Sequence, residues 1–354
     1  MSAYAALIDV LKMQAAACAA MGSPFSGALL DRAAEALPDD PWLQAAFQPW
    51  AEADRRAIFD DATALRWLGA LHDAVLEAPD SALAQAYPGP GRTGDPDRAW
   101  PLAQEFGRDH AARVAEFMRH EPQTNEVRRS AVLLPGFLTV AAETELPLRI
   151  LELGASAGLN QLWDRRRYRL GEDLRWGPGD APVVIDTDWR GGTPPLDAPV
   201  RVNERAACDR SPVRLADPAQ RRRLRAYVWP DQTDRLERLD AAVAQALAAE
   251  TTVKREDAVV WTRRHAAPRA GAASVVFHSV FFQYMPAESQ AALIRTLGDF
   301  GAQASPAAPL AWLRIEPAPG NPATMELRLT LWPDGRERVL ATAHPHGAWV
   351  EWNG

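Results

Sequence analysis

The sequence predicts an α/β protein: a doubly wound, mostly parallel sheet, preceded by a helical region and closed by an antiparallel hairpin. Three observations carry that expectation. Residues 1 to 145 place apolar side chains three and four apart, separated by proline and glycine, and carry no strand signal. After Pro147, short apolar runs alternate with helical stretches, the texture of a parallel sheet covered on both faces. Near the end, Pro333-Asp334-Gly335 separates the runs 326–332 and 336–343, and Asp-Gly between alternating runs marks a hairpin. The implied division is 1–145 helical and 146–354 α/β, with an insertion at about 168–198.

The elements follow in order. The chain opens on an amphipathic helix with Leu7, Val10 and Leu11 at helical spacing. Asp9 and Lys12 interrupt its apolar stretch and no basic segment precedes it, which disfavours a signal peptide. Asp60–Glu77 is the clearest helix, striped by Leu65, Leu68, Leu71, Val75 and Leu76, with Pro79 beyond its end. Tyr87–Pro101 reads as a loop on composition. Helices resume at about Leu102–Met118 and Thr124–Ala142, with the Thr124 hydroxyl placed to cap the second.

In the second half, strand Leu148–Leu153 leads into a helix over about Leu159–Tyr168. Short strand-like pieces around Trp176 and over Pro182–Trp189 form an inserted hairpin or loop. A second core strand is Val200–Arg205. Helices begin at Asp217-Pro218, with aspartate as cap and proline at the first helical position, and span about Asp231–Ala249. Strands follow near Thr252–Arg255 and over Ala273–His278, then a helix at Pro286–Leu297 and a strand at Leu310–Ile315. Residues 316–325 hold three prolines, so no regular helix fits before the hairpin.

Composition narrows the function classes. The 354 residues are 47% hydrophobic, enough for about two domains. A net charge of −7 argues against non-specific nucleic-acid binding, which needs clustered cations. The runs Arg165-Arg166-Arg167 and Arg221-Arg222-Arg223 fall in expected helices and read as solvated faces. Two distant cysteines, Cys18 and Cys208, exclude a disulfide framework. No apolar run is long enough to span a bilayer, so a cytoplasmic protein without membrane partners is expected. His344-Pro345-His346 lacks the partner spacing of a metal site, and no metal is expected.

Residues 148–160 read LRILELGASAGLN. Gly154-Ala155-Ser156-Ala157-Gly158 is a literal G-x-S-x-G, the nucleophile elbow of serine hydrolases. Following an apolar run, it also looks like the first turn of a nucleotide-binding βαβ unit. Gly154 and Gly158 permit tight backbone geometry, and the next helix start offers free N–H groups to a ligand. The third glycine of the dinucleotide pattern is missing, which disfavours pyrophosphate. A hydrolase elbow follows several strands; here the motif follows the first, and Asp334 with His344 or His346 would have to complete a triad.

Ile150-Leu151-Glu152-Leu153-Gly154-Ala155-Ser156-Ala157-Gly158 resembles motif I of the class I S-adenosylmethionine-dependent methyltransferases, an acid followed by G-x-G-x-G, with Ser156 replacing the middle glycine. Ala207-Cys208-Asp209-Arg210-Ser211-Pro212 is similar to the turn after their second strand, whose acid binds ribose hydroxyls. Asp257-Ala258 resembles the turn after the third, whose Asp approaches the adenine amine, and Val275–Ser279 resembles the fourth strand. Most of the chain also resembles a bacterial family known only as domain of unknown function 2332. That likeness rests on ELGASAGLN, Val228-Trp229-Pro230-Asp231-Gln232, Phe277-His278-Ser279, Trp332–Gly335 and His346-Gly347.

The resemblance implies a methyltransferase-like Rossmann fold with S-adenosylmethionine as cofactor and an unidentified small or medium-sized methyl acceptor. It places Glu152 near the cofactor amine, and Gly154, Ala155, Ser156 and Gly158 in the methionine-side loop. Asp209 would hold the ribose, Asp257 and Ala258 would border the adenine, and His278 would be general base or acceptor-positioning group. A protein that binds the adenosyl ligand without catalysis, and a serine hydrolase at Ser156, are the alternatives. Each residue also has a local reading: Glu152 as helix cap, Asp209 and Asp257 as turn residues, His278 as a satisfied buried histidine. Arg128 and Arg129 could meet the cofactor carboxylate or lie at the surface.

Overall fold

The structure, a computed structural model, describes residues 4–354, the side chain of Pro322 excepted. It divides into two compact units. One runs to Thr124 and takes back Ala216–Glu237; the other comprises Asn125–Leu215 and Arg238–Gly354.

The first unit is helical. Its helices include Ala5–Ala20, Pro24–Ala36, Pro41–Phe47, Thr63–Glu77, Pro96–Asp109 and Ala111–Met118. Fully buried Trp67 sits among Trp42, Phe47 and Trp100, with centroid distances of 6.2–6.5 Å. The expected loop Tyr87–Pro101 is partly helix. Asp95 accepts hydrogen bonds from the amides of Asp97 and Arg98, and Pro96 takes the first helical position, where its missing N–H costs nothing. The expected helix Leu102–Met118 breaks at His110. Helix Pro218–Ala226 is capped by Asp217 as expected, and it packs on Thr63–Glu77, where Arg222 pairs with Asp73 at 2.8 Å. That arginine run is therefore not wholly solvated.

The second unit holds one mixed sheet. Its strands are β1 (Leu148–Leu153), β2 (Arg167–Leu170), β3 (Leu174–Trp176), β4 (Val184–Gly191), β5 (Val202–Asp209), β6 (Lys254–Arg255), β7 (Ala273–Ser279), β8 (Leu310–Ala318), β9 (Asn321–Trp332), β10 (Arg336–Ala343) and β11 (Trp349–Trp352). The spatial order is β3-β2-β4-β11-β10-β9-β8-β7-β1-β5-β6. The run from β6 through β5, β1 and β7 to β8 is parallel. Because β5 lies on one side of β1 and β7 on the other, the connections reverse direction there. In open α/β sheets such a reversal, at the carboxyl ends of the strands, is where ligands bind.

Beyond β8 the sheet turns antiparallel. β8 returns directly as β9 through Pro319-Gly320, so no crossover helix intervenes, as the prolines of 316–325 imply. The hairpin at Pro333–Gly335 forms as expected, with Gly335 at φ 72°.

Four expectations need correction. The helix Leu159–Tyr168 is a 3-10 segment, Leu159–Arg165, in which Leu162 leaves helical geometry; β2 then begins at Arg167. The insertion does not stand apart as a hairpin, since β4 pairs in parallel with both β2 and β11 and extends the sheet. Strand β5 starts and ends later than Val200–Arg205, because pairing with β1 carries it through Cys208. Thr124 caps nothing: the helix starts at Arg129, with no side-chain cap at Arg128.

Helices cover both faces of the parallel strands. On one face, Leu151, Leu153, Val276, Leu310 and Trp312 pack against Trp261, Leu293 and Leu297 of helices Ala258–His265 and Ala287–Gly301. On the other lies helix Arg129–Thr144, buried along most of its length. Its Phe137 stacks on Trp163 at 4.3 Å and meets Phe277 edge-on at 5.1 Å. Gly136 allows the close approach, for a Cβ there would lie 2.3 Å from Leu313 Cδ1. No helix among the described residues is long and apolar enough to cross a membrane.

Phe137→Ala should therefore cost about 3–5 kcal/mol in urea unfolding, the range for emptying a buried aromatic site. A loss below about 1 kcal/mol would show that this stack is not part of the core.

Candidate functional site

The carboxyl end of β1 runs at once into a tight bend. Gly154, Ser156 and Gly158 all have positive φ, at 61°, 52° and 72°. For Ser156 that left-handed conformation costs roughly 1–2 kcal/mol, so neighbouring contacts must hold it. Ser156 N–H donates to Asp209 Oδ2 at 2.8 Å, and Val213 N–H donates to the Ser156 carbonyl at 3.1 Å. Ala155 N–H reaches the Cys208 carbonyl, and Leu159 N–H reaches Asn125 Oδ1 at 2.9 Å. Ser211 N–H donates to the other Asp209 oxygen at 2.7 Å. One carboxylate thus ties the end of β1 to the end of β5. Gly154 is needed for a second reason: a Cβ there would fall 2.1 Å from the Phe281 ring. The Ser156 hydroxyl is buried and has no hydrogen-bond partner among the described residues.

Glu152 is the acid just before this bend. It pairs in register with Phe277, so it points to the face covered by helix Arg129–Thr144. The side chain is buried, and its Oε2 has no hydrogen-bond partner among the described residues. Burial pushes the carboxyl up to about 8; the Arg166 charge opposes that rise and Asp209 adds to it. Arg166 is itself fully buried. Its Nη1 donates to the Val127 carbonyl, Ser130 Oγ and Asn160 Oδ1 at 2.9–3.2 Å, and its Nη2 donates to the Leu159 carbonyl. The run Arg165-Arg166-Arg167 was expected on a solvated helix face. It leads into a strand instead, so its middle member turns inward while Arg165 stays exposed.

Asp257 caps helix Ala258–His265, its Oδ1 accepting from the Val259 and Val260 amides at 2.9 and 3.1 Å. It is exposed, and Ala258 is buried beside it. The Glu256 amide donates to the Asp209 carbonyl, which sets the Asp257 turn next to the end of β5.

His278 lies on the other face of the sheet from Glu152, since it alternates with Phe277. It is fully buried. Trp312 Nε1–H can only donate, and it reaches His278 Nε2 at 3.1 Å. Nε2 is therefore the acceptor, and Nδ1–H donates to Glu316 Oε1 at 2.8 Å. Both ring nitrogens are engaged by protein partners, so a general-base role for His278 would require Trp312 to release Nε2. Glu316 Oε1 also accepts from the amides of Phe281 and Phe282 at 3.0 and 2.9 Å. Burial alone would raise the Glu316 carboxyl, but these donors and His278 outweigh it and hold the group below the usual carboxylate range. Glu316 was not singled out from sequence, where it marks only the end of a strand before Pro317.

The structure therefore gathers Glu152, Gly154, Ala155, Ser156, Gly158 and Asp209 at one end of the sheet and sets Asp257 and Ala258 beside them. A family model described as an uncharacterized protein conserved in bacteria (DUF2332) matches residues 9–352. No curated protein and no solved structure matches the chain.

Glu152 makes stability depend on pH. A carboxyl near 8 when folded and near roughly 4 when unfolded keeps its proton longer in the folded state. Its contribution is complete below roughly pH 4, falls as pH rises toward about 8, and is gone above that. Glu152→Gln should flatten that decline, and the variant should gain on the parent most at pH 8. Thermal melts of both proteins from pH 5 to 9 check this; parallel profiles would contradict it.

Proposed function

We propose that the chain, which belongs to the DUF2332 family of uncharacterized bacterial proteins, is an S-adenosylmethionine-dependent methyltransferase acting on an unidentified small or medium-sized acceptor. The observation that carries this reading is Glu152. A buried acid with an unpartnered oxygen destabilises a fold that does not use it. It stands beside a glycine bend at the reversal point of the sheet, where a ligand ammonium would supply the missing partner.

The remaining residues fit the same ligand. When bound, the cofactor supplies a methyl group already activated on a sulfonium, so the protein's task is alignment and exclusion of water. Glu152 would hold the ammonium. The bend from Gly154 to Gly158 would face the methionine portion with main chain, its shape fixed by Asp209. Each Asp209 oxygen is met by one amide, which leaves lone pairs for ribose hydroxyls. Asp257, whose Oδ1 serves the helix cap, and Ala258 would border the adenine. His278 supports Glu316 and does not move a proton.

A serine hydrolase keeps one observation, the strained backbone and buried hydroxyl of Ser156. No histidine accepts from that hydroxyl among the described residues, so the activating base is missing. Labelling by a fluorophosphonate that disappears in Ser156→Ala would favour the hydrolase over the methyltransferase.

Isothermal titration tests the main reading. S-adenosylmethionine and S-adenosylhomocysteine should bind with a Kd below about 100 μM, and Glu152→Gln should bind at least about tenfold more weakly. Because an ammonium favours the ionised carboxylate, parent affinity should rise from pH 6 toward 8, by up to about tenfold per unit, and the variant should show no such rise. No binding at millimolar ligand would overturn the assignment. Tight binding with no turnover on any acceptor would mark a binding protein.

A further inference from the structure

The end of β8 carries a second carboxylate that the cofactor reading leaves unused. Three donors converge on Glu316 Oε1, while its Oε2 is buried and has no hydrogen-bond partner among the described residues. A carboxylate loaded on one oxygen and empty on the other is an incomplete site. Arg314, two residues earlier on β8, feels its charge but donates to Glu337 instead, and its Nη1 also lacks a partner.

Position links Glu316 to the bend. Its Oε1 grips the amide of Phe281, the residue whose ring lies against Gly154. Phe282, held by the same oxygen, stacks on His278 at 5.9 Å. Val280, at the base of this segment, is a β-branched residue at φ 53°, a strained conformation of the kind that collects at ligand sites. Gln290 Nε2 also holds the segment, donating to the Phe282 and Met285 carbonyls at 3.0 Å.

We propose that Glu316 is the acceptor-side anion of the site: through Oε1 it positions Phe281 on the glycine bend, and through Oε2 it meets an amine, so the acceptor class is a primary or secondary amine. This deepens the methyltransferase reading and rests on it. In the transfer, the bound ammonium first gives a proton to water, and the nitrogen lone pair so freed forms the new N–CH3 bond while the S–CH3 bond breaks and its electrons stay on sulfur. The positive charge passes from sulfur to nitrogen, and the product leaves as the methylammonium. A fixed anion beside that nitrogen stabilises the charge where it develops. The same anion would repel a phenolate or thiolate nucleophile, which disfavours oxygen and sulfur acceptors. Glu316, held ionised by its donors, is a counter-ion here and a poor base. The aromatic rings of Phe281 and Phe282 add a surface that favours a cation.

Phenethylamine and its neutral isostere 2-phenylethanol probe the site without turnover. The parent should bind the amine at least about tenfold more tightly than the alcohol. Glu316→Gln should abolish that preference. Gln290→Ala loosens the same segment without removing charge and should leave the preference intact. Equal binding of amine and alcohol to the parent would overturn the proposal. So would an unchanged preference in Glu316→Gln, or an equal loss in Gln290→Ala. Amine preference without S-adenosylmethionine binding would sink the methyltransferase reading and keep the amine site; cofactor binding without amine preference would do the reverse.

Discussion

The hydrogen bond from the Ser156 amide to Asp209 is the constraint on which the site depends. Ser156 occupies a backbone region that an L-residue leaves unless something holds it. Asp209 holds it from the neighbouring strand and is itself fixed by the Ser211 amide. The bend is therefore a property of two parallel strands acting together. Buried Glu152 stands just before it, and the Phe281 ring lies against its first glycine, Gly154.

Two carboxylates flank that bend, and their surroundings drive them apart. Glu152 is buried with an empty oxygen, and burial favours its protonated form. Glu316 is half-buried but receives a histidine and two backbone amides, and these favour its ionised form. Carboxyl groups whose surroundings push them in opposite directions are a common property of functional sites. Structural ion pairs shift carboxylates too, but each of these two retains an oxygen that the fold leaves unsatisfied.

The sequence carried the parts of this picture that are local. Strand β1 and its bend were legible because an apolar run stops at a glycine, and β7 because six buried positions are contiguous. The Pro-Asp-Gly hairpin was legible because its turn chemistry is specific. Other features depend on distant partners. β11 was missed because a strand of four residues shows little periodicity and one of its partners, β4, lies far away in the chain. Arg166 looked solvated because a run of three arginines does not show which member turns inward. The role of His278 hinged on Trp312 and Glu316, more than thirty residues on, which together use both ring nitrogens. Tyr87–Pro101 misled for the opposite reason, since its prolines suit a helix start as well as a loop.

The proposed site requires that Glu152 stay protonated until a cationic ligand meets it. Titrating S-adenosylmethionine into the protein at pH 7, in buffers of different ionisation enthalpy, counts the protons exchanged on binding. Release of about one proton per ligand is expected from the parent and none from Glu152→Gln. Binding to the parent without proton release would mean that Glu152 does not meet the ligand, and the assignment of this bend as its site would fail.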